Sequence, residues 1–399
     1  MFNLLIPYIQ KKHSIKEAIT TLEKESIYRL RYEIYRRELN KKNVDCDKVG
    51  RDSDFIVDDE DELDNSYLFY LGDERRPFAT FRLTIYDSGN IPKTIKERYS
   101  LGNFPEVSDF RIVEMSRGMI SQNSRKGQIM LSMAIFVYLF CVRKKIEIGF
   151  LYCAPGLSKY YKLFGYRPYR ADIVKTRDGV RLPMINIFSD YAYYSRVRSP
   201  LKRLVRKKNK RSPKDFFDVS LIEDRLVEEK SPYMVDEEAI CDTVLRDIKE
   251  NNLKAPIFNG IDLKQLKLLL RKGVLIIVNS GEVVLSEGVV EKELYVILNG
   301  SLTVFSKNKR KIAELKKGDV FGEVAFFNQN GERTASIVAV EKSTLLMFSR
   351  NFLDRISSQN KDMAIQLLFN LSTVLANRLA SENLKKRNKP FLSFLRKCD

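Results

Sequence analysis

Phe321-Gly322-Glu323-Val324-Ala325-Phe326-Phe327, followed shortly by Glu332-Arg333-Thr334-Ala335-Ser336, is the stretch that decides the fold of the second half of this chain. One carboxylate, Glu323, and one guanidinium, Arg333, lie ten residues apart, each beside small residues. Gly322 and Ala325 let backbone approach a ligand closely. Phosphate oxygens need backbone N–H groups at a helix start together with a cationic fork, and Arg333 can offer that fork bidentately. Glu323 can accept a hydrogen bond from a sugar hydroxyl. Thr334 can donate another, to a phosphate or to a base. Around the stretch, Gly273, Gly281, Gly288, Gly300 and Gly318 punctuate short apolar runs such as Leu294 to Leu298, Leu302 to Phe305 and Leu345 to Phe348. Short strands separated by turn glycines predict a β-sandwich or barrel. Helices are expected over 236–251 before it, and over 351–356 and 364–384 after it.

Gly281 with Glu287-Gly288, Tyr295-Val296-Ile297 with Asn299-Gly300, and Gly318-Asp319 before Phe321 complete a wider frame. With the cassette, it resembles the cyclic-nucleotide-binding domain family over about residues 236–385. The resemblance implies a jelly-roll-like β-barrel with flanking helices and a regulatory ligand, cAMP or cGMP. It places that ligand against Gly322, Glu323, Val324, Ala325, Arg333, Thr334 and Ala335, with the ribose on Glu323 and the cyclic phosphate on Arg333. The alternative is a domain without ligand in which Glu323 and Arg333 pair with each other. In bacterial transcription activators a helix-turn-helix follows such a domain. Leu384 to Asp399 is too short for one, so no sequence-specific DNA binding is expected.

A chain of 399 residues has room for two or three domains. No apolar run reaches the length of a membrane span, and Met1 to Ile9 lacks a signal-peptide pattern. The scattered cysteines (Cys46, Cys141, Cys153, Cys241, Cys398) form no CxxC pair and suit a reducing cytoplasm. His13 is the only histidine, which excludes a histidine triad and a multi-histidine metal site. A net charge of +18 suits an acidic partner or a solvated lysine-rich surface. Residues 197–235 read as a basic interdomain linker, with Arg203, Arg206, Lys207 and Lys208 among its cations. Leu201, Leu204 and Val205 give it a short amphipathic helix able to touch an anionic membrane at its inner face. Residues 386–399 form a basic tail.

The first 196 residues alternate helices and strands, an α/β pattern. Ser14 can cap a helix running to about Leu39. An acidic loop, Asp58 to Asp64, precedes a hairpin of Tyr67–Leu71 and Phe78–Tyr86 turning near Gly72-Asp73. Ile112–Ile120 reads as a strand, Gln128–Arg143 as an apolar helix and Ile146–Cys153 as a strand. Leu157–Phe164 is a short helix, and Tyr191 closes a final strand. Glu114 can act as a general base toward an amine, and Asp61 and Asp64 can hold a cationic amino group. Arg31, Arg82 and Arg117 can organise the acidic loop. Structural alternatives are an Arg31–Glu114 ion pair, a merely solvated acidic loop, and strand-edge charges at Arg82 and Arg117.

Four features in order carry a second resemblance: Arg31 in Arg31-Tyr32-Glu33-Ile34-Tyr35-Arg36-Arg37-Glu38-Leu39, the D-x-x-D of Asp61 and Asp64, Arg82 after Ala79-Thr80-Phe81, and Glu114-Met115-Ser116-Arg117. Over about residues 20–190 they resemble acyl-homoserine-lactone synthases and related N-acyl-amino-acid synthases, a branch of the GNAT acyltransferase fold. Tyr161-Lys162-Leu163-Phe164-Gly165-Tyr166 resembles the ending common to that fold. The resemblance implies transfer from a thioester to an amine. Arg125, Lys126 and Gly127 then stand where the donor's phosphates bind. The loop carries one glycine where coenzyme A loops carry two small residues, which favours an acidic acyl carrier protein beside acyl-coenzyme A as donor. The expected whole is an α+β multidomain chain: a GNAT-like mixed α/β domain at 1–196 and a cyclic-nucleotide-binding domain at 236–385. Its expected activity is a cytoplasmic acyl transfer under cAMP or cGMP control. A nucleotide-controlled lysine acetyltransferase and an inactive nucleotide-responsive binding protein are the alternatives.

Overall fold

Burial of β-branched and aromatic side chains on both sides of a central strand organises the first part of the molecule. The computed structural model describes residues 14–39, 54–125, 127–154, 157–169, 174–176, 179–211, 217–222, 226, 237–250, 253–328, 331–349, 356–358 and 360–387. The chain divides into two compact units, Met1–Val235 with Val283–Val290, and Asp236–Glu282 with Glu291–Asp399. No described helix is long and apolar enough to cross a membrane.

The first unit is a mixed sheet of β1 (Ile15–Glu17), β2 (Ser66–Gly72), β3 (Pro77–Tyr86), β4 (Ile112–Ile120), β5 (Ile148–Cys153), β6 (Tyr166–Pro168), β7 (Val174–Thr176) and β8 (Gly179–Ile187). Its order is β1-β2-β3-β4-β5-β8-β6, with β7 on β8. Among the described residues of this sheet, only β4 and β5 run parallel. Nearly every residue of β3 is buried, as expected for a strand covered on both faces. One face carries the apolar helix α3 (Gly127–Arg143), after α1 (Thr21–Tyr32) and α2 (Lys93–Arg98) in the chain. Phe136 and Phe140 of α3 meet Phe69 of β2 edge-on at 4.8 and 5.3 Å. Of these rings Phe69 and Phe140 are buried, each contributing about 1.5–3 kcal/mol, and Phe136 is partly buried. The other face is a second core of Tyr86, Tyr99, Phe150 and Tyr169.

Three expectations are corrected here. Helix α1 starts at Thr21 rather than near Ser14, because Thr20 and Glu23 form a capping box. Ile15–Glu17 pairs with β2 instead. Tyr191 does not close a strand but opens a helix, Tyr191–Arg196, capped by the Asp190 side chain. The basic stretch contains a helix, Lys202–Arg211. Leu201 and Val205 at that helix join the first unit's core, so these apolar residues are not free to lie on a membrane.

In the second half of the chain the strands are β9 (Val274–Val278), β10 (Val283–Leu285), β11 (Leu294–Asn299), β12 (Ser301–Phe305), β13 (Lys311–Lys316), β14 (Val320–Phe321), β15 (Ser336–Ala339) and β16 (Ser343–Phe348). Apart from β10, these strands fall into two sheets among the described residues rather than the barrel expected. One sheet has the order β14-β11-β16-β9; in the other, β12 lies between β13 and β15. The helices Glu237–Lys249 and Leu263–Lys272 precede the strands, and the long helix Lys361–Arg387 follows them. Of the helix expected over 351–356, residues 351–355 lie outside the described residues, as do 388–399 of the basic tail.

Candidate functional site

Two clusters of buried charge mark two sites. The first lies on β4 of the first unit. Glu114 stands opposite Thr84 of β3 and Phe150 of β5, and β4 and β5 pair no further than that residue. Past it, β5 follows β8, while β4 follows β3 through an irregular register. Thr80 faces Met119 but Arg82 faces Ser116, so β4 carries one extra residue. The bulge is at Arg117, whose φ of 52° lies in the left-handed region. The facing edges of β4 and β5 beyond Glu114 are therefore not bonded to each other. The Tyr161 hydroxyl lies by this bulge, 3.9 Å from where a Cβ on Gly118 would sit.

Glu114 is 1% exposed. Its Oε1 accepts from the Tyr99 hydroxyl at 2.6 Å, and Arg98 Nη1 donates to Oε1 and Oε2 at 2.9 and 3.1 Å. Burial first, then the adjacent Glu114 charge, pushes the Tyr99 hydroxyl well above its ordinary range, so it stays a donor. Arg98 Nη2 continues to Glu60 at 2.9 Å. Glu60 accepts from Arg82, which also pairs with Asp58 and, at 2.9 Å, with Asp61. Asp61 takes Arg31 on both oxygens, at 2.5 and 3.0 Å. Arg117 Nε donates to Asp58 at 2.6 Å. Burial tends to raise the Asp61 carboxyl, but Arg31, then Arg82 and the Asp58 N–H, outweigh it and hold it below its ordinary value. Four arginines and four carboxylates thus alternate through one network of balanced formal charge.

The network gathers Arg31, Asp61, Arg82, Glu114 and Arg117, and leaves Asp64 exposed outside it. Arg31 pairs with Asp61, not with Glu114. Both Asp61 oxygens are engaged and its side chain is inaccessible, so it orders the loop rather than holding an amine. Arg125 is exposed and pairs with Glu38; Gly127 opens α3; Lys126 lies outside the described residues. Sequence reasoning missed Asp58, Glu60, Arg98 and Tyr99. Only Asp58 carried a signal, the capping-box spacing Asp58-x-x-Asp61.

The second site lies in the cassette. Gly322 caps the short helix Glu323–Phe327 with φ 83°. A Cβ there would meet the Glu293 carbonyl at 2.7 Å and Arg333 Nη1 at 2.8 Å, so only glycine fits. The first N–H groups of that helix have no intrahelical acceptor. Arg333 is 2% exposed. Its Nη1 donates to the Glu293 and Gly322 carbonyls at 2.8 and 3.2 Å, and its Nη2 to the Glu293 carboxylate at 3.2 Å. Its Nε is buried and has no partner among the described residues. A donor in that position fits a phosphate oxygen. Glu323, also buried, pairs through Oε1 with Arg378 of the long helix Lys361–Arg387, and not with Arg333. Ala325 is buried and Ala335 half-buried, while Val324 and Thr334 are exposed. Glu293 and Arg378 were not foreseen, because neither belongs to the cassette.

Residues 26–187 match the family model described as N-acyl amino acid synthase FeeM, and residues 276–360 match that of the cyclic nucleotide-binding domain. The chain thus carries an N-acyl amino acid synthase domain followed by a cyclic nucleotide-binding domain. The cyclic AMP receptor protein of Thermus thermophilus is 29% identical over 136 residues, which are 33% of this chain and 60% of that protein. The cyclic nucleotide-gated channel beta-3 of Mus musculus is 31% identical over 107 residues, 26% of this chain and 15% of that protein. The chain therefore spans under two thirds of the length of either relative. Among solved structures, a cyclic nucleotide-binding domain from Methylobacillus flagellatus has 22% identity and a TM-score of 0.34, over 38% of this chain and 86% of that one. The Thermus thermophilus catabolite activator protein has 28% identity and a TM-score of 0.31, over 35% of this chain and 64% of that one.

Proposed function

We propose that the chain is an N-acyltransferase that moves an acyl group from a thioester to an amine, and that cAMP or cGMP bound at Glu323 and Arg333 regulates it. The observation that carries the first part is Glu114: a buried carboxylate, held by Tyr99 and Arg98, at the point where β4 and β5 part. A thioester needs a neutral amine as nucleophile, and an amine is protonated near neutral pH. Glu114 takes one proton from the ammonium. The amine lone pair then attacks the thioester carbonyl carbon. The C–N bond forms, the C–S bond breaks, and the thiolate leaves with the second amine proton. Backbone N–H groups on the parted edges of β4 and β5 are suited to the oxyanion, and the Tyr161 hydroxyl to the leaving sulfur. One parallel pair that separates within an otherwise antiparallel sheet supports a GNAT-type reading of this unit. The donor is an acyl carrier protein or coenzyme A, and exposed Arg125 suits either.

The nucleotide half rests on Arg333, whose buried Nε has no partner among the described residues and suits an acceptor. Regulation requires that the nucleotide bind two states of the chain unequally, by about 1–3 kcal/mol for typical coupling. The test is one assay. Purified protein is mixed with a fatty-acyl carrier protein or fatty-acyl-coenzyme A and a panel of amines, with and without each nucleotide, and N-acyl products are read by mass spectrometry. A product that appears with wild type and is lost with Glu114→Gln supports acyl transfer. No product from either donor sinks it, and equal rates with and without both nucleotides sink the regulation.

A further inference from the structure

We infer that Arg98 is the residue that recognises the acceptor's carboxylate, and that the acceptor opens the Arg98–Glu114 ion pair to release the base; this rests on the acyl-transfer reading above. Of the network's four arginines, Arg31 and Arg82 are sealed from solvent, Arg117 is 16% exposed, and Arg98 is 29% exposed. Arg98 is also the only one of the four in contact with Glu114. An α-amino acid carries its ammonium and its carboxylate on the same carbon. It can bridge an acid and a base only where those two groups already touch. The Arg98–Glu114 contact is the one place in the network that meets both conditions, exposure and adjacency.

The exchange is charge-neutral. Arg98 turns one of its bonds from Glu114 to the incoming carboxylate, while its Nη2 keeps Glu60 at 2.9 Å. Glu114 Oε1 keeps the Tyr99 hydroxyl. Glu114 Oε2, whose described partner is Arg98 at the longer 3.1 Å, turns to the ammonium. One ion pair becomes two, and no charge is left unpaired. A simple amine cannot do this. It brings an uncompensated positive charge beside Arg98 and leaves the Arg98–Glu114 pair closed, a cost of the kind that enforces specificity. Proton transfer then runs as before: one proton to Glu114 Oε2, the C–N bond made, the C–S bond broken, the second proton to the thiolate.

The experiment compares wild type, Arg98→Gln and Arg98→Lys on matched pairs that differ only in the carboxylate: phenylalanine against phenethylamine, and leucine against isopentylamine. Fatty-acyl carrier protein is the donor, and phenylalanine binding is measured separately by calorimetry. Wild type should favour each amino acid over its amine. Arg98→Gln should lose at least about 30-fold in kcat/KM on the amino acids, mainly through KM, as expected for removing one partner of a desolvated charge pair. It should not lower amine turnover, because the closed pair and the charge that exclude a simple amine are gone, so the preference for each amino acid over its amine should collapse. Arg98→Lys keeps the charge for folding but not the fork, and should fall between. If either variant lowers amino acid and amine alike, or if wild type shows no preference, the proposal is overturned. Should phenylalanine bind wild type and not Arg98→Gln while no thioester is ever consumed, the carboxylate site stands and the acyl-transfer reading falls.

Discussion

Arg378 and Glu323, 55 residues apart, form an ion pair that ties the long helix Lys361–Arg387 to the nucleotide cassette. Arg378 Nη1 holds Glu323 Oε1, and its Nη2 donates to the Val320 carbonyl at the start of β14. Oε2 of Glu323 has no partner among the described residues. A ribose hydroxyl can take Oε2 while Arg378 keeps Oε1, so ligand and helix meet on one carboxylate. Arg378→Ala removes the helix from that arrangement and should weaken cAMP or cGMP binding about tenfold, roughly the worth of one charge-assisted hydrogen bond. Calorimetry reads the affinity, and hydrogen exchange reads the helix. Nucleotide should slow exchange over Lys361–Arg387 in wild type and not in the variant. Equal or tighter binding by Arg378→Ala would mean that the pair opposes the ligand.

Arg333 makes the converse case. Its Nη2 is taken by the Glu293 carboxylate at 3.2 Å, a long contact for an ion pair, and its Nε by no described residue. A cyclic phosphate would use both nitrogens and must displace Glu293. Glu293→Gln, with the competing charge gone, should tighten nucleotide binding several-fold. Arg333→Lys keeps a charge but loses the fork and should weaken it about 100-fold, within the range of a lost bidentate contact. Opposite signs for the two substitutions are the signature to look for. Weaker binding by both would assign Glu293 a supporting part.

What the sequence disclosed and what it withheld divide along range. Glu114 and Arg82 could be placed on strands because the apolar runs Ile112–Ile120 and Phe78–Tyr86 are long and bounded by turn residues. Gly322 could be placed at a tight turn because the residues after it start a helix. Local pattern failed where partners decide. Ser14 and Thr20 are both competent caps, and what excludes the earlier start is the pairing of Ile15 with Leu71, far along the chain. Tyr191 reads as the end of a strand until Asp190 is seen to cap the helix that it opens. Short strands between glycines do not say which strands pair, so a sandwich and a barrel both stayed open, and only the family resemblance pointed to a barrel. Arg98 has no motif at all: its meaning lies in touching Glu114 across 16 residues and Glu60 across 38.

The Arg31–Asp61 pair sets an acid limit on stability. Arg31 and its hydrogen bonds, then Arg82, hold the Asp61 carboxyl below its ordinary value against the opposing effect of burial. A depressed folded-state value means that the group's contribution is complete above the unfolded carboxylate value. It is lost as pH falls through the folded one. Stability of the first unit should therefore be level near neutrality and decline below about pH 4. Asp61→Asn leaves Arg31 buried and unpaired and should cost on the order of 3–5 kcal/mol at neutral pH. The acid limb should flatten in the same variant. Chemical denaturation at neutral and acid pH measures both, and an unchanged limb would assign the acid sensitivity to another carboxylate.

Glu114→Gln separates a base from a strut. Glutamine keeps the shape and can still accept from Tyr99 and Arg98 through its amide oxygen, so folding should survive. It cannot take a proton. If Glu114 is the base, kcat should fall by about 10²–10⁴, and KM for the acceptor should rise with it, because the same carboxylate holds the ammonium. The pH profile carries the sharper evidence. Without a base, reaction depends on amine that is already neutral, and that fraction grows tenfold per pH unit below the amine's own value. The variant's rate should climb with that slope through the neutral range, where wild type is flatter, and the two curves should converge as the solution becomes alkaline. Parallel profiles with a small uniform loss would instead make Glu114 a structural member of the network. Tyr99→Phe is the matched control. It removes one donor to Glu114 Oε1 and leaves Arg98 in place, and it should lower kcat by about tenfold without changing the slope.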